Sequence, residues 1–237
     1  MNENFLPAVI RTLFIYKPVD TKRQAGFKTG SVMGVKERRA AEIQFRLDQI
    51  LDAARDLLLC DGIENISISK IARKAELGVG TIYFYFKNKE EIFISLQEEG
   101  LSLFYDMIQK IDAKKIKSDE KLRRIAEAFY QFSQEHKDYY DIINYFLSSS
   151  RAFFKPELKN KIDMSGHKIF YLIESVICSG MADKTFKKAD AKNNSILFFA
   201  ALHGLLQLKK LERTTLASQN HADIYAYSVE TLINGFK

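Results

Sequence analysis

Apolar residues along this chain recur at intervals of three and four, and nowhere do they sustain the period-two alternation of a half-buried strand. Leu47, Ile50, Leu51, Ala54, Leu57 and Leu58 make one helical stripe, and Asp61-Gly62 is suited to ending it. Ser67 is placed to cap a short second helix carrying Ile68, Ile71, Ala72 and Ala75. A break over Glu76 to Gly78 leads into a third short helix that runs to Phe86. Asn88, with Glu91 three residues later, has the pattern of a capping box. It opens a long fourth helix bearing Ile92, Phe93, Leu96, Phe104, Met107 and Ile108. Further helices are expected near 118–135, 138–149, 157–179, 188–211 and 221–236, separated by short polar or glycine-containing stretches. Proline occurs only at Pro7, Pro18 and Pro156, which leaves these patterns unbroken. The expected fold class is all-α: three short helices, a connecting fourth, and a larger helical body.

Composition narrows the function classes more than it selects one. A chain of 237 residues that is 46% apolar can bury a real core. A formal charge of +6 admits a polyanionic partner without requiring one. Cys60 and Cys178 have no second cysteine or close histidine beside them, so structural thiols in a reducing compartment are expected. His136, His167, His203 and His221 show no metal-ligand spacing. No paired carboxylates share a face, no Ser or Cys stands with a placed His, and no cofactor fingerprint occurs, so neither an enzyme nor a cofactor is expected. The segment FLPAVIRTLFIY is interrupted by Arg11, lacks a preceding positive cluster, and is shorter than the ~20 residues a membrane span needs. Residues 1–35 are therefore read as a disordered extension, with Met33 as the functional start. A cytoplasmic protein without stable membrane association follows. The competing class is a helical adaptor or membrane-peripheral protein that uses this N-terminal apolar segment.

The stretch GVGTIYFYFKNKEEIF, Gly78 to Phe93, first suggests a phosphate-binding loop. A dinucleotide loop would need a third glycine where Tyr83 stands and a buried strand before it, and a Walker loop would need Gly-Lys-Ser/Thr. Both fail. Two short helices, Ser67 to Ala75 and Val79 to Phe86, joined by a three-residue break, instead have the layout of a helix-turn-helix. Ala72 is small where the two helices must approach, and Ile71, Leu77, Ile82 and Phe86 can form a miniature core. The run ISISKIARKAELGVGTIYFYFKNKEEIF resembles the TetR (tetracycline repressor) family pattern, TxxxIAxxA followed by GVxxGTxYxYFxxKxxL. The likeness covers about Gln49 to Phe93. It implies a dimeric DNA-binding transcriptional regulator, most simply a repressor. The division would be a helix-turn-helix domain at 36–88 and a helical ligand-binding and dimerisation domain at 89–237. Two positions depart from the pattern: Glu76 replaces the turn glycine, and Gly78 replaces a capping serine.

The resemblance places Tyr83 and Lys89 against backbone phosphates, with Lys87 beside them. A cation at a helix start is otherwise poorly placed against the dipole. Thr81 offers a hydroxyl to phosphate or a methyl to thymine, while Val79, Gly80 and Tyr85 are candidates for base edges. Phe84 could pack on sugars or against the first helix. Ser67 and Lys70 are candidates for flanking backbone contacts. Lys36, Arg38, Arg39 and Arg46 suggest a basic arm for phosphates or the minor groove, with a solubilising tail as the alternative. Between Met33 and Glu90 ten Lys and Arg stand against nine Asp and Glu, so charge placement matters more than its total.

In the body, an excess of aromatics suggests a pocket for an apolar or aromatic small-molecule effector. Its candidate lining is Phe104, Tyr130, Tyr145, Phe146 and Tyr171, with His167 and Glu174 as polar handles. Phe198, Ala201, Leu205, Ile224, Tyr227 and Thr231 are candidates for a two-fold homodimer interface, although a helix buried within one subunit would read similarly. Two-fold symmetry would require a palindromic double-stranded DNA operator.

Overall fold

The computed structural model describes residues 34–148, 156–211 and 220–237. The chain divides between residues 41 and 42, and the part from residue 42 onward makes a compact unit. All described regular structure is helical. Among the described residues nine α-helices occur: α1 (Val35–Asp61), α2 (Ile68–Lys74), α3 (Val79–Tyr85), α4 (Lys89–Asp112), α5 (Ser118–Glu135), α6 (Lys137–Ser148), α7 (Pro156–Ala182), α8 (Ala191–Gln207) and α9 (His221–Phe236). The first helix starts earlier than its apolar stripe. Gly34 donates its backbone N–H to Glu37 Oε2 at 2.9 Å, and residues 35–41, with Lys36, Glu37, Arg38 and Arg39 among them, form an exposed first stretch that no core periodicity marks. The eighth starts at Ala191, where Asp190 accepts from the Asn193 N–H at 2.9 Å, and its expected last residues, Leu208–Leu211, tighten into a 3-10 turn.

Most helix ends are set by local chemistry visible in the sequence. Gly62, at φ 71°, follows the last residue of α1. Ser67 caps α2 by accepting from the Lys70 N–H at 3.2 Å. Asn88 caps α4 by accepting from the Glu91 N–H at 2.9 Å. Glu91 returns its carboxylate to the Lys87 N–H at 2.8 Å, one residue earlier than a regular capping box would place it. Pro156, at the first position of α7, fits a site where the N–H has no helical partner.

Two hydrophobic clusters organise residues 42–237. One, the head, gathers Ile50, Ala54 and Leu58 of α1, Ile71 and Ala72 of α2, Ile82 of α3, and Ile92, Phe93 and Leu96 of α4. Ile142 of α6 completes it, with Phe146 packed alongside. The other, the body, is built on Phe104 and Ile108 of α4, Phe129 and Phe132 of α5, Ile173 and Ile177 of α7, Phe198 and Leu202 of α8, and Tyr225 and Ile233 of α9. Helix α4 is shared, its first half in the head and its second in the body. At roughly 1.5–3 kcal/mol for each fully buried large apolar side chain, both clusters are substantial cores.

Candidate nucleic-acid interface and ligand cavity

Seven residues make α3, and only Ile82 among them is buried. That one anchor packs against Ile71 and Ala72, both essentially inaccessible, and fixes which side of the helix faces outward. The turn before it is held by the Leu77 N–H donating to Ala72 O at 2.9 Å, and by Gln49 Nε2 of α1 donating to Ala75 O at 2.6 Å. Glu76 sits at φ 55°, so the turn keeps its left-handed residue although a side chain now occupies it. Gly78 caps α3 in extended conformation without a side-chain bond.

The outward side of α3 is unusually aromatic. Tyr83 is 55% exposed and Phe84 68%, and Val79 and Gly80 are exposed beside them. Phe84 does not pack on the first helix. It stands in solvent with its ring edge-to-face against Tyr85, centroids 5.1 Å apart, because Ile82 takes the inward direction of that turn. Thr81 and Tyr85 are half-buried, and Tyr85 packs partly onto the head core. A Cβ added at Gly80 would meet nothing within 4 Å, so the protein's own packing does not demand glycine there.

The candidate cations differ in their surroundings. Lys87 is exposed, and Lys89 reaches the Ile66 carbonyl at 3.3 Å, which holds it beside the start of α2. Ser67 is exposed, and Lys70 lies 3.5 Å from Asp61. Lys36, Arg38 and Arg39 are not an extended arm, because all three lie inside α1 and are exposed. Arg46 is half-buried, donates to Gln49 Oε1 at 3.0 Å, and lies 5.8 Å from the Phe45 ring centre.

The expected pocket residues do not converge. Phe104 is buried in the body core, and Tyr130 packs against that core with its ring 5.1 Å from Tyr225. Phe146 belongs to the head instead, 6.3 Å from Phe93. Tyr145, the residue before it on α6, is 36% exposed. His167 and Tyr171 form an exposed edge-to-face pair on α7, and Glu174 on the same helix is half-buried. Consecutive helical residues point to different neighbours, so the aromatic-rich span does not gather these side chains around one space. The enclosed seam that does exist is lined chiefly by residues outside the expected set: Phe129, Phe132, Tyr140, Asn144, Phe199 and His203, with Phe104. Its volume is about 20 Å³. That is little more than one water needs, so the seam is closed around its own side chains. Burial raises the Tyr140 hydroxyl above its ordinary pKa, with the Asn144 and Gln207 amides close by as a partial offset.

Of the expected interface residues, Phe198 is wholly buried in the body core and is corrected to a core residue. Its neighbours on α8 turn the other way. Ala201 and Leu205 join Gly204, Leu208, Tyr227, Thr231 and Leu232 around an open apolar groove of about 610 Å³, and Ile224 lies half-buried on α9. Leu197, at 51% exposed, and Tyr227, at 75%, belong to the same two helices. Cys60 and Cys178 are both exposed and free, not core thiols. Among the described residues no His, Cys, Asp and Glu group has metal-binding geometry, and no helix is long and apolar enough to cross a membrane. The apolar N-terminal segment lies outside the described residues.

A solvent-facing short helix held by a three-residue turn, on a head that shares a long helix with a larger helical body, defines a helix-turn-helix fold. Residues 50–96 match the pattern of the bacterial regulatory proteins of the tetR family. The fatty acid metabolism regulator protein of Bacillus subtilis is 42% identical over 74 residues, covering 31% of this chain and 38% of that protein. An HTH-type transcriptional regulator of Haemophilus influenzae is 30% identical over 89 residues, 38% of this chain and 48% of its own length. The chain thus spans under half the length of these relatives. In three dimensions, FadR from Bacillus subtilis in complex with stearoyl-CoA superposes with a TM-score of 0.66 at 24% identity, over 80% of this chain and 99% of that one. AibR in complex with isovaleryl coenzyme A and operator DNA gives 0.61 at 18%, over 79% and 98%. At these identities the likeness is one of fold.

Proposed function

We propose that this protein is a ligand-responsive transcriptional repressor that binds a palindromic operator as a homodimer and is released by a coenzyme A thioester of an apolar acid. It acts in the cytoplasm through a DNA-binding domain at 36–88 and a ligand-binding and dimerisation domain at 89–237. The observation that carries the DNA-binding half is the outward side of α3. A seven-residue helix with one buried anchor and exposed Val79, Tyr83 and Phe84 has no use for that apolar surface in water. Set in a major groove, Val79, Gly80 and Tyr85 reach base edges, and Tyr83, Lys87 and Lys89 take phosphates. Ser67 and Lys70 flank these contacts.

The effector half rests on the aromatic seam and on likeness to regulators crystallised with stearoyl-CoA and isovaleryl coenzyme A. A seam of about 20 Å³ cannot hold an acyl chain as it stands. Binding therefore requires α6 to part from α4, α5 and α7, and a ligand that favours the parted form shifts the equilibrium by its differential affinity. The apolar groove on α8 and α9 supports a four-helix contact between two copies.

Genomic fragments retained by the purified protein test the proposal. Enrichment of one palindromic site, released on adding stearoyl-CoA, is the expected result. Retention with no common site would contradict DNA-specific regulation, and retention unaffected by any acyl-CoA chain length would contradict the effector class alone.

A further inference from the structure

Where the head meets α6, one arginine gathers partners from three helices. Arg55 of α1 donates to Asp52 at 2.8 Å, lies 3.3 Å from Glu99 of α4, and donates to the Tyr139 hydroxyl of α6 at 2.9 Å. Its Nε is 3.5 Å from Asp138, and its guanidinium carbon sits 4.7 Å from the Tyr139 ring centre. Tyr139 in turn donates its hydroxyl to Glu99 at 3.0 Å. The Arg55 and Glu99 side chains are only 19% and 12% exposed, so this is an inside junction and not a surface ion pair.

The helix that supplies Tyr139 has two other tasks. Ile142 is buried in the head core and Phe146 packs against it, while Tyr140, Ile143, Asn144 and Leu147 line the seam in the body. Helix α6, twelve residues long, thus touches the seam, the head core and the arginine junction at once. Its approach to α4 is close. A Cβ at Gly100 would fall 3.0 Å from Tyr139 Cβ and 3.1 Å from Ile143 Cδ1. That spacing is tighter than most packed Cβ atoms show, so a side chain at position 100 would press α6 away by a few tenths of an ångström, and glycine is what lets α4 and α6 lie this close.

We infer that Arg55, Glu99 and Tyr139 are the positioning residues through which α6 reports the state of the seam to the helix-turn-helix. A ligand that opens the seam displaces Tyr139, and the Arg55 end of that contact belongs to α1, which also carries Gln49 and its bond to the turn before α3. The inference rests on the regulator function proposed above and adds the joint by which it is switched.

Two variants test it, each measured for affinity to a retained genomic fragment with and without stearoyl-CoA. Gly100→Ala pushes α6 away from α4, and it lowers DNA affinity about tenfold with no ligand added, within the range of allosteric couplings. Glu99→Gln keeps the shape of the junction but removes a charge. It binds the fragment within about threefold of wild type, yet the loss of affinity on adding stearoyl-CoA shrinks toward none. A purely structural role would change melting temperature in both variants and leave the ligated-to-free affinity ratio untouched. A folded Gly100→Ala protein with wild-type DNA affinity would overturn the inference, and so would a Glu99→Gln protein with the full ligand response. Should Gly100→Ala fail to fold, Glu99→Gln decides the matter alone. If stearoyl-CoA leaves the wild type unmoved, the ligand-free Gly100 arm still decides it. Failure of the wild type to bind any fragment would count against the regulator function instead.

Discussion

Glu76 occupies φ 55°, a region that costs an L side chain about 1 kcal/mol and glycine almost nothing. Glu76→Gly should therefore stabilise the protein by about 1 kcal/mol or somewhat less, once the greater freedom of glycine in the unfolded chain is counted, and raise the melting temperature by about 2–4 °C. An unchanged or lower melting temperature would show that the turn is not strained. Gly80 predicts the opposite separation of stability from function. Because a Cβ there meets nothing in the protein, Gly80→Ala should leave the fold intact or stabilise α3 by up to about 1 kcal/mol, while DNA affinity drops through collision with the groove. Glu99 carries a pH signature. Burial holds its carboxyl above the ordinary 4.5, with Arg55 and the Tyr139 hydroxyl offsetting only part of the shift. Between 4.5 and the folded value the native state binds more protons than the unfolded chain, so this group's contribution to stability falls as pH rises through that window. Thermal unfolding of wild type against Glu99→Gln should show the wild type losing ground steadily as pH increases from below 4.5. A difference that does not vary with pH would contradict the burial of an ionisable group at that junction.

At the scale of elements, the head was legible in the sequence and the body only in outline. Ser67, Gly62 and Asn88 act on backbone groups within four residues of themselves, so their capping roles could be read without knowing any neighbour. The α2–turn–α3 unit is likewise short-range, and Ile71, Ala72 and Ile82 occupy the core positions expected of them. Helices of the body touch several partners, and a 3.6-residue stripe does not say which. Phe146 faced the head and not the seam, and Phe198 faced the core and not solvent. The seam-lining Phe129, Phe132, Tyr140 and Phe199 had no local signal that set them apart from other core aromatics. The two sides of α8 make a direct comparison possible. Phe198→Ala should cost about 3–5 kcal/mol of stability, the usual penalty for emptying a buried phenylalanine site. Leu197→Glu, on the exposed side, should leave melting nearly unchanged at low concentration yet convert the protein to monomer in sedimentation. A dimeric Leu197→Glu protein would remove the α8–α9 groove from the proposed interface.

For the molecule as a whole, a shared α4, a bridging α6 and a closed seam suit a protein whose two ends are read together. That arrangement has a function only if α3 grips DNA. The salt dependence of binding by wild type and by the double variant Tyr83→Ala, Lys89→Ala therefore tests the account most directly. One lysine from each protomer of a dimer accounts for two phosphate contacts, so the slope of log affinity against log salt should flatten by about two units while the protein stays folded and dimeric. Overall affinity should fall together with that slope. An unchanged slope and affinity in the folded double variant would contradict the claim that α3 and the start of α4 hold the DNA backbone.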